Sequence, residues 1–274
     1  MNDIFVEKFE SMNELLDTIN NRPNNEEMKN EDASTSNSYE FSGTRSYEEA
    51  CDLAKYGYDK ILPQIKLEMV KNQKTMNEIY AKKHFIYKNH PIGFIPHVPN
   101  AIVGLPDSMI TTEKLNMKTK VCNIVYLMDG NCGTDKNLWL TAGPVMLTAI
   151  RYIEKSGIRV RLHTCFMNSY SDGTYNTAIV KIKDYGEELN LQRIAFPIAH
   201  PSMFRRIGFK QIETVPNLTG NFHCGYGRAL TDKSSEYKKL EERLGLTNTS
   251  IISAQDIEEV NFSLKETLKL LNNE

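Results

Sequence analysis

The apolar run Val121-Cys122-Asn123-Ile124-Val125-Tyr126-Leu127-Met128 ends abruptly at Asp129-Gly130-Asn131-Cys132-Gly133. A continuous run of this length suits a strand buried on both faces of a sheet. A helical pattern follows, with Leu138, Trp139, Ala142, Val145, Met146, Ala149, Ile150 and Ile153 at helical spacing and Gly157 placed as a C-cap. A second strand pattern, Ile158-Arg159-Val160-Arg161-Leu162, comes next. The order strand, polar loop, helix, parallel strand puts short oxygen-bearing side chains at the C-terminal edge of the first strand, where open α/β sheets bind ligands.

The remaining elements extend this reading. The periodicity predicts an amphipathic helix over Phe5 to Ile19, so residues 1–19 read as a tethered helix. Residues 20–39 have almost no large apolar side chain and read as a flexible linker. Ser46-Tyr47-Glu48-Glu49 has the pattern of a capping box. The stretch from His90 to Met109 is rich in Pro but carries Phe94, Ile95, Val98, Ile102 and Leu105, which predicts an ordered, extended wrap rather than regular helix. Residues 40–119 therefore read as a helical and Pro-rich segment packed on the core. Residues 120–274 alternate strands and helices, with further strands expected at Asn176 to Ile182, Lys210 to Val215, Tyr226 to Leu230 and Ser250 to Ser253. The fold class is α/β, a three-layer, mostly parallel sheet with helices on both faces.

Composition narrows the function classes. A net charge of -2 over 274 residues offers no source for the counterion release that drives nucleic-acid binding, so nucleic acid is not the expected partner. No window approaches a membrane span, and the first residues lack a secretory pattern, so the expected location is the cytoplasm. Five cysteines with no CxxC pair fit a reducing compartment.

The strand ending in Asp129-x-Asn131-x-Gly133, then a helix, then a basic-apolar strand resembles the von Willebrand factor A-type domain, whose corresponding motif is Asp-x-Ser-x-Ser. Ala229-Leu230-Thr231-Asp232-Lys233 is similar to that family's strand ending in Thr-Asp-Gly. The resemblance implies a Mg2+-like cation held by Asp129, Asn131 and Asp232, with Thr231 beside it. A hard cation wants several oxygen ligands, and Gly133 brings no side-chain oxygen while Lys233 brings a cation, so the implied site is degenerate. Without a metal, Asp129 and Asn131 read as a polar strand-to-helix turn.

Two further passages bear on function. Phe204-x-x-x-Gly208-Phe209 resembles the end of acyl-CoA-dependent N-acetyltransferases, but no glycine-rich pyrophosphate turn accompanies it; Arg205 and Arg206 read as an anion site or as intramolecular ion pairs. Phe41-Ser42-Gly43-Thr44-Arg45, with Val98-Pro99-Asn100-Ala101, resembles proteins encoded by bacteriophages. The chain is expected to be a non-catalytic protein-binding or scaffold component, of a phage particle or its assembly machinery. Its partner would be another protein, and its recognition face the C-terminal sheet edge. The alternative is an enzyme, either a metal-dependent hydrolase using Asp129 and Asp232 or an acyl-CoA-type transferase.

Overall fold

A computed structural model of the chain describes residues 4–74, 85–114, 120–131, 133–169, 175–216, 226, 233–245 and 249–272. They divide into two compact units, one of residues 1–72 and 121–274 and the other of residues 73–120. The expected single segment 40–119 is thus split after Asn72.

The large unit opens with strand β1 (Ile4–Phe9) and helix α1 (Met12–Asn21), followed by the short helices α2 (Ala33–Ser36) and α3 (Tyr39–Ser42), then α4 (Tyr47–Tyr56) and α5 (Leu62–Lys71). Two expectations change here. Residues 4–9 are not the start of a helix but a strand, paired in parallel with the central sheet, and the helix begins only after Ser11, whose hydroxyl accepts from the amide of Glu14. Residues 20–39 are not a loose linker: polar side chains from elsewhere in the unit, described below, hold this segment where apolar burial does not. At the start of α4, Ser46 accepts from the amide of Glu49 as expected, whereas the Glu49 carboxylate reaches one residue further back, to the amide of Arg45 at 2.6 Å.

The small unit contains β2 (Phe85–His90), β3 (Ile95–Pro96), the one-turn helix α6 (Val98–Ile102) and β4 (Met109–Lys114). Its sheet has the order β2-β4-β3, both pairs antiparallel. The Pro-rich run is ordered by backbone bonds, Phe94 N to Ile110 O at 3.0 Å and His97 N to Ser108 O at 2.8 Å. A Cβ on Gly93 would lie 2.3 Å from the Ile110 carbonyl oxygen, so only glycine fits there. The apolar residues of this run are not buried. Ile92, Phe94, Ile95, Val98, Ile102, Val103 and Leu105 are 50–79% exposed.

Back in the large unit, β5 (Lys120–Leu127) feeds α7 (Asn137–Lys155), followed by β6 (Ile158–Ser169), β7 (Tyr175–Lys183), α8 (Leu191–Ala199), a π-helix (Met203–Gly208), α9 (Phe209–Thr214), α10 (Lys233–Leu244), β8 (Thr249–Ser253), α11 (Ala254–Glu259) and α12 (Leu264–Asn272). The sheet order is β1-β7-β6-β5-β8; β1 runs parallel to β7 and β5 to β8, while β6 and β7 are antiparallel. This is an α/β fold with a mostly parallel five-stranded sheet flanked by helices. The segment expected as a strand at Lys210 to Val215 is helix α9 instead. Its Gln211 and Glu213 are buried polar side chains bonded to other elements, and the helix continues directly from the π-helix. Among the expected strand residues 226–230, only Tyr226 is described.

Each face of the sheet has its own cover. Val125, Leu127, Cys165, Met167, Tyr175 and Ile179 pack against Leu240 and Leu244 of α10. The alternate residues of β6 face the other way: Thr164 donates to the Pro197 carbonyl of α8, and the Phe166 ring lies 6.4 Å from that of Phe204. Helix α7 is the hub of this second layer, touching α5, α8, α11, α12 and β6, which is why it is apolar nearly all round.

Where α7 meets α8, a Cβ on Gly143 would lie 2.2 Å from the Ala199 Cβ. Gly143→Ala should therefore destabilise the fold by about 1–3 kcal/mol through overpacking, despite alanine's better helix propensity. A lowered urea midpoint with an unchanged slope is the expected result.

Candidate functional site

The C-terminal edge of β5 and β8 is where the sequence places its site. Asp129 follows β5 and is 2% exposed; its carboxylate helps hold the Tyr126, Cys165 and Tyr237 protons well above their ordinary range, after burial itself. Asn131 is exposed, but its side-chain oxygen accepts from the Gly133 amide at 2.9 Å and the Thr134 hydroxyl at 3.3 Å, while its own amide donates to that hydroxyl at 3.0 Å. The oxygen that the resemblance assigns to a cation thus closes its own turn, and Gly133 adds no ligand. Thr231 and Asp232 lie outside the described residues. Residues 129–133 alone do not fit a hard cation, and no group of three or more His, Cys, Asp or Glu comes together as a metal site among the described residues.

The neighbouring strand brings a second carboxylate to this edge. Leu127 of β5 pairs with Ser253, the last residue of β8, and Asp256 lies three residues further on. One Asp256 oxygen accepts from the Ser253 amide (2.7 Å), the Ser253 hydroxyl (2.8 Å) and the Tyr237 hydroxyl (3.1 Å), while the Asp256 amide donates back to Ser253. This is a complete capping box with a tyrosine added, and it ties α10 to the start of α11. The signal for it, Ser-x-x-Asp ahead of a helix, is present at Ser253 in the sequence.

Arg205 and Arg206, on the π-helix, are 2% and 0% exposed and are not surface anion ligands. Arg205 is stacked on the Phe41 ring, 3.9 Å from its centroid, with Trp139 at 4.8 Å, and donates to the carbonyls of Phe41 and Thr134. Thr134 belongs to the loop after β5, so Arg205 fixes that loop from behind. Arg206 donates to the Thr44 hydroxyl (2.7 Å) and to the carbonyls of Ser34 (3.0 Å), Thr35 (3.1 Å), Asn37 (2.8 Å) and Thr44 (2.9 Å). Its bonded partners are neutral oxygens rather than the expected ion-pair carboxylates. Burial lowers its pKa, with Glu48 and Glu49 acting against that from a distance.

The other edge of the sheet holds a cleft of about 970 Å³, walled by α7, the end of β7 and the start of α8. At its floor, Lys183 meets Glu154 at 2.6 Å, with both side chains nearly buried, and Lys183 also donates to the carbonyls of Val160 and Asp184. The pair is saturated, since the same Glu154 oxygen accepts the Val160 amide. Its members lie far apart in the chain and form no motif, so the sequence does not reveal them.

No membrane-length apolar helix occurs among the described residues. The fold and this edge define an α/β protein whose prominent polar groups are mostly engaged in holding its own backbone. The chain belongs to the family described as Domain of unknown function (DUF7192), whose model matches residues 2–273. No curated protein and no solved structure matches the chain.

Arg206→Met removes the donor shared by the carbonyls of Ser34, Thr35, Asn37 and Thr44 and by the Thr44 hydroxyl, and should cost about 3–5 kcal/mol. Arg206→Lys keeps the charge but not the planar fork and should recover only part of this. Urea unfolding measures the loss, and limited proteolysis should show new cuts between residues 33 and 44. An uncut segment with an unchanged midpoint would show that Arg206 does not hold it.

His200 is 5% exposed, stacked on Phe196, and accepts from the Ser202 amide through Nδ1, which requires the neutral ring. Burial lowers its pKa from 6.5 to about 3, aided by Lys60. The unfolded chain therefore binds a proton that the folded chain refuses between these values. Its stabilising contribution is complete above pH 6.5 and falls as pH drops towards 3, by on the order of 2 kcal/mol at pH 5. Thermal unfolding from pH 7 to pH 5 should show this loss, and a smaller one in His200→Asn, which retains an acceptor.

Proposed function

We propose that the protein is a non-catalytic, protein-binding component that acts as a scaffold through the exposed apolar run of the small unit. The observation that carries this reading is the exposure of Ile92, Phe94, Ile95, Val98, Ile102, Val103 and Leu105 within fourteen residues. Large exposed apolar side chains concentrated in this way mark a place where another macromolecule sits. At the C-terminal sheet edge, by contrast, Asp129 is buried, and the Asn131 oxygen and one Asp256 oxygen are already bonded within the fold.

The likeness to the von Willebrand A-type domain enters through β5, α7 and β6 and their terminal Asp129, and the proposal needs no Mg2+ there. The likeness to bacteriophage-encoded proteins makes a phage particle or its assembly machinery the proposed setting, with a location in the host cytoplasm or the virion.

Phe94→Lys and Ile102→Lys change exposed side chains, so each should alter folding stability by only about 0.5 kcal/mol. Both should remove proteins that co-purify with the wild-type chain from cells expressing it. Equal recovery by wild type and both variants would sink the proposal.

A further inference from the structure

Resting on this protein-binding reading and making it specific, we infer that the occupant of the apolar run is a second copy of the chain, joined run to run about a twofold axis. Charge is the first argument. From Pro91 to Pro106 there is no Asp, Glu, Lys or Arg. An anionic membrane, a nucleic acid or a charged peptide would find no counter-charge within this run, whereas a second copy brings the same uncharged surface and no repulsion. The polar side chains of the run, His97 and Asn100, are turned to their own backbone: His97 Nδ1 accepts from the Asn100 amide at 3.3 Å, and Asn100 Nδ2 donates to the Asp107 carbonyl at 2.9 Å. What is left for a partner is apolar.

Area is the second argument. Seven large apolar side chains, each at least half exposed, together present on the order of several hundred Å² per copy. Standard interfaces bury about 800 Å² per partner. The run is also rigid. The Phe94 amide is bonded to Ile110 of β4, the His97 amide to Ser108 just ahead of it, the Leu105 amide to the Asn100 carbonyl at 2.9 Å, and Gly93 lies against Ile110. A run already fixed in place loses little further freedom on association. A twofold interface requires a patch that complements itself, and a uniformly apolar, uncharged one meets that condition.

Size-exclusion chromatography with light scattering on the full chain, from about 1 to 100 µM, tests this inference. Wild type should run at twice the 31.4 kDa chain mass. The double variant Ile92→Lys/Ile102→Lys should run at the single mass, with its dissociation constant raised about 100-fold or more, as burial of unpaired charge demands. Val98→Ser/Val103→Ser, which removes apolar area without adding charge, should weaken association by about tenfold. Melting temperatures on the same samples separate loss of association from loss of folding. A wild-type monomer at 100 µM, or a dimer indifferent to both double variants, overturns the inference. If the monomer still captures a different protein in a run-dependent way, the protein-binding reading survives and the second copy falls. If it captures nothing, both fall. Flotation of wild type with phosphatidylcholine vesicles, lost in the lysine variant, would replace the second copy with a lipid surface.

Discussion

A fully buried guanidinium organises much of the large unit. Arg206 projects from the π-helix into a cage of carbonyls contributed by Ser34, Thr35, Asn37 and Thr44. The Thr44 oxygen also accepts from the Ser42 hydroxyl, and Thr35 lies at the surface, while Ser34 is buried. The arrangement works in both directions. The cation is tolerated in the interior because the chain wraps it in dipoles, and the chain wraps there because the cation rewards its carbonyls. Arg205, one residue earlier, does the same for the loop after β5 through the Thr134 carbonyl. Consecutive residues on a π-helix thus brace two distant loops at once.

Glu213 completes this bracing from the next helix. Its carboxylate accepts from the Ser34 amide and hydroxyl, while Gln211 links Asn176 of β7 to Glu7 of β1, and Glu7 in turn pairs with Arg22. A polar relay therefore runs from the first strand through the sheet to the segment at residues 20–39. That segment is ordered by hydrogen bonds instead of apolar burial, which composition cannot register.

This explains which parts of the fold are legible in the sequence. The unit from β5 to β6 is readable because its apolar run and the helix α7 carry strong, local periodicity. Strand β1 is not, since the spacing of Phe5, Phe9 and Met12 matches a helix as well as a strand with one covered face, and its partner lies far along the chain. Helix α9 misleads because it buries polar side chains beside apolar ones, Gln211 and Glu213 together with Ile212, which blurs its helical period. At the candidate site, Asp129 and its turn are visible as residue types. That the Asn131 oxygen is spent on Gly133 and Thr134, and that Ser253 pairs with Leu127 and so brings Asp256 to the same edge, depends on geometry that spacing does not encode.

The pairing of β1 with β7 also sets the order in which the molecule can assemble. Ile4 is opposite Tyr175, so about 170 residues must be made before the first strand has anything to pair with, and closing so long a loop is entropically costly. During synthesis β1 therefore remains an unpaired edge until β7 has been made. The strand that opens the large unit waits, through every element between them, for the partner that completes it.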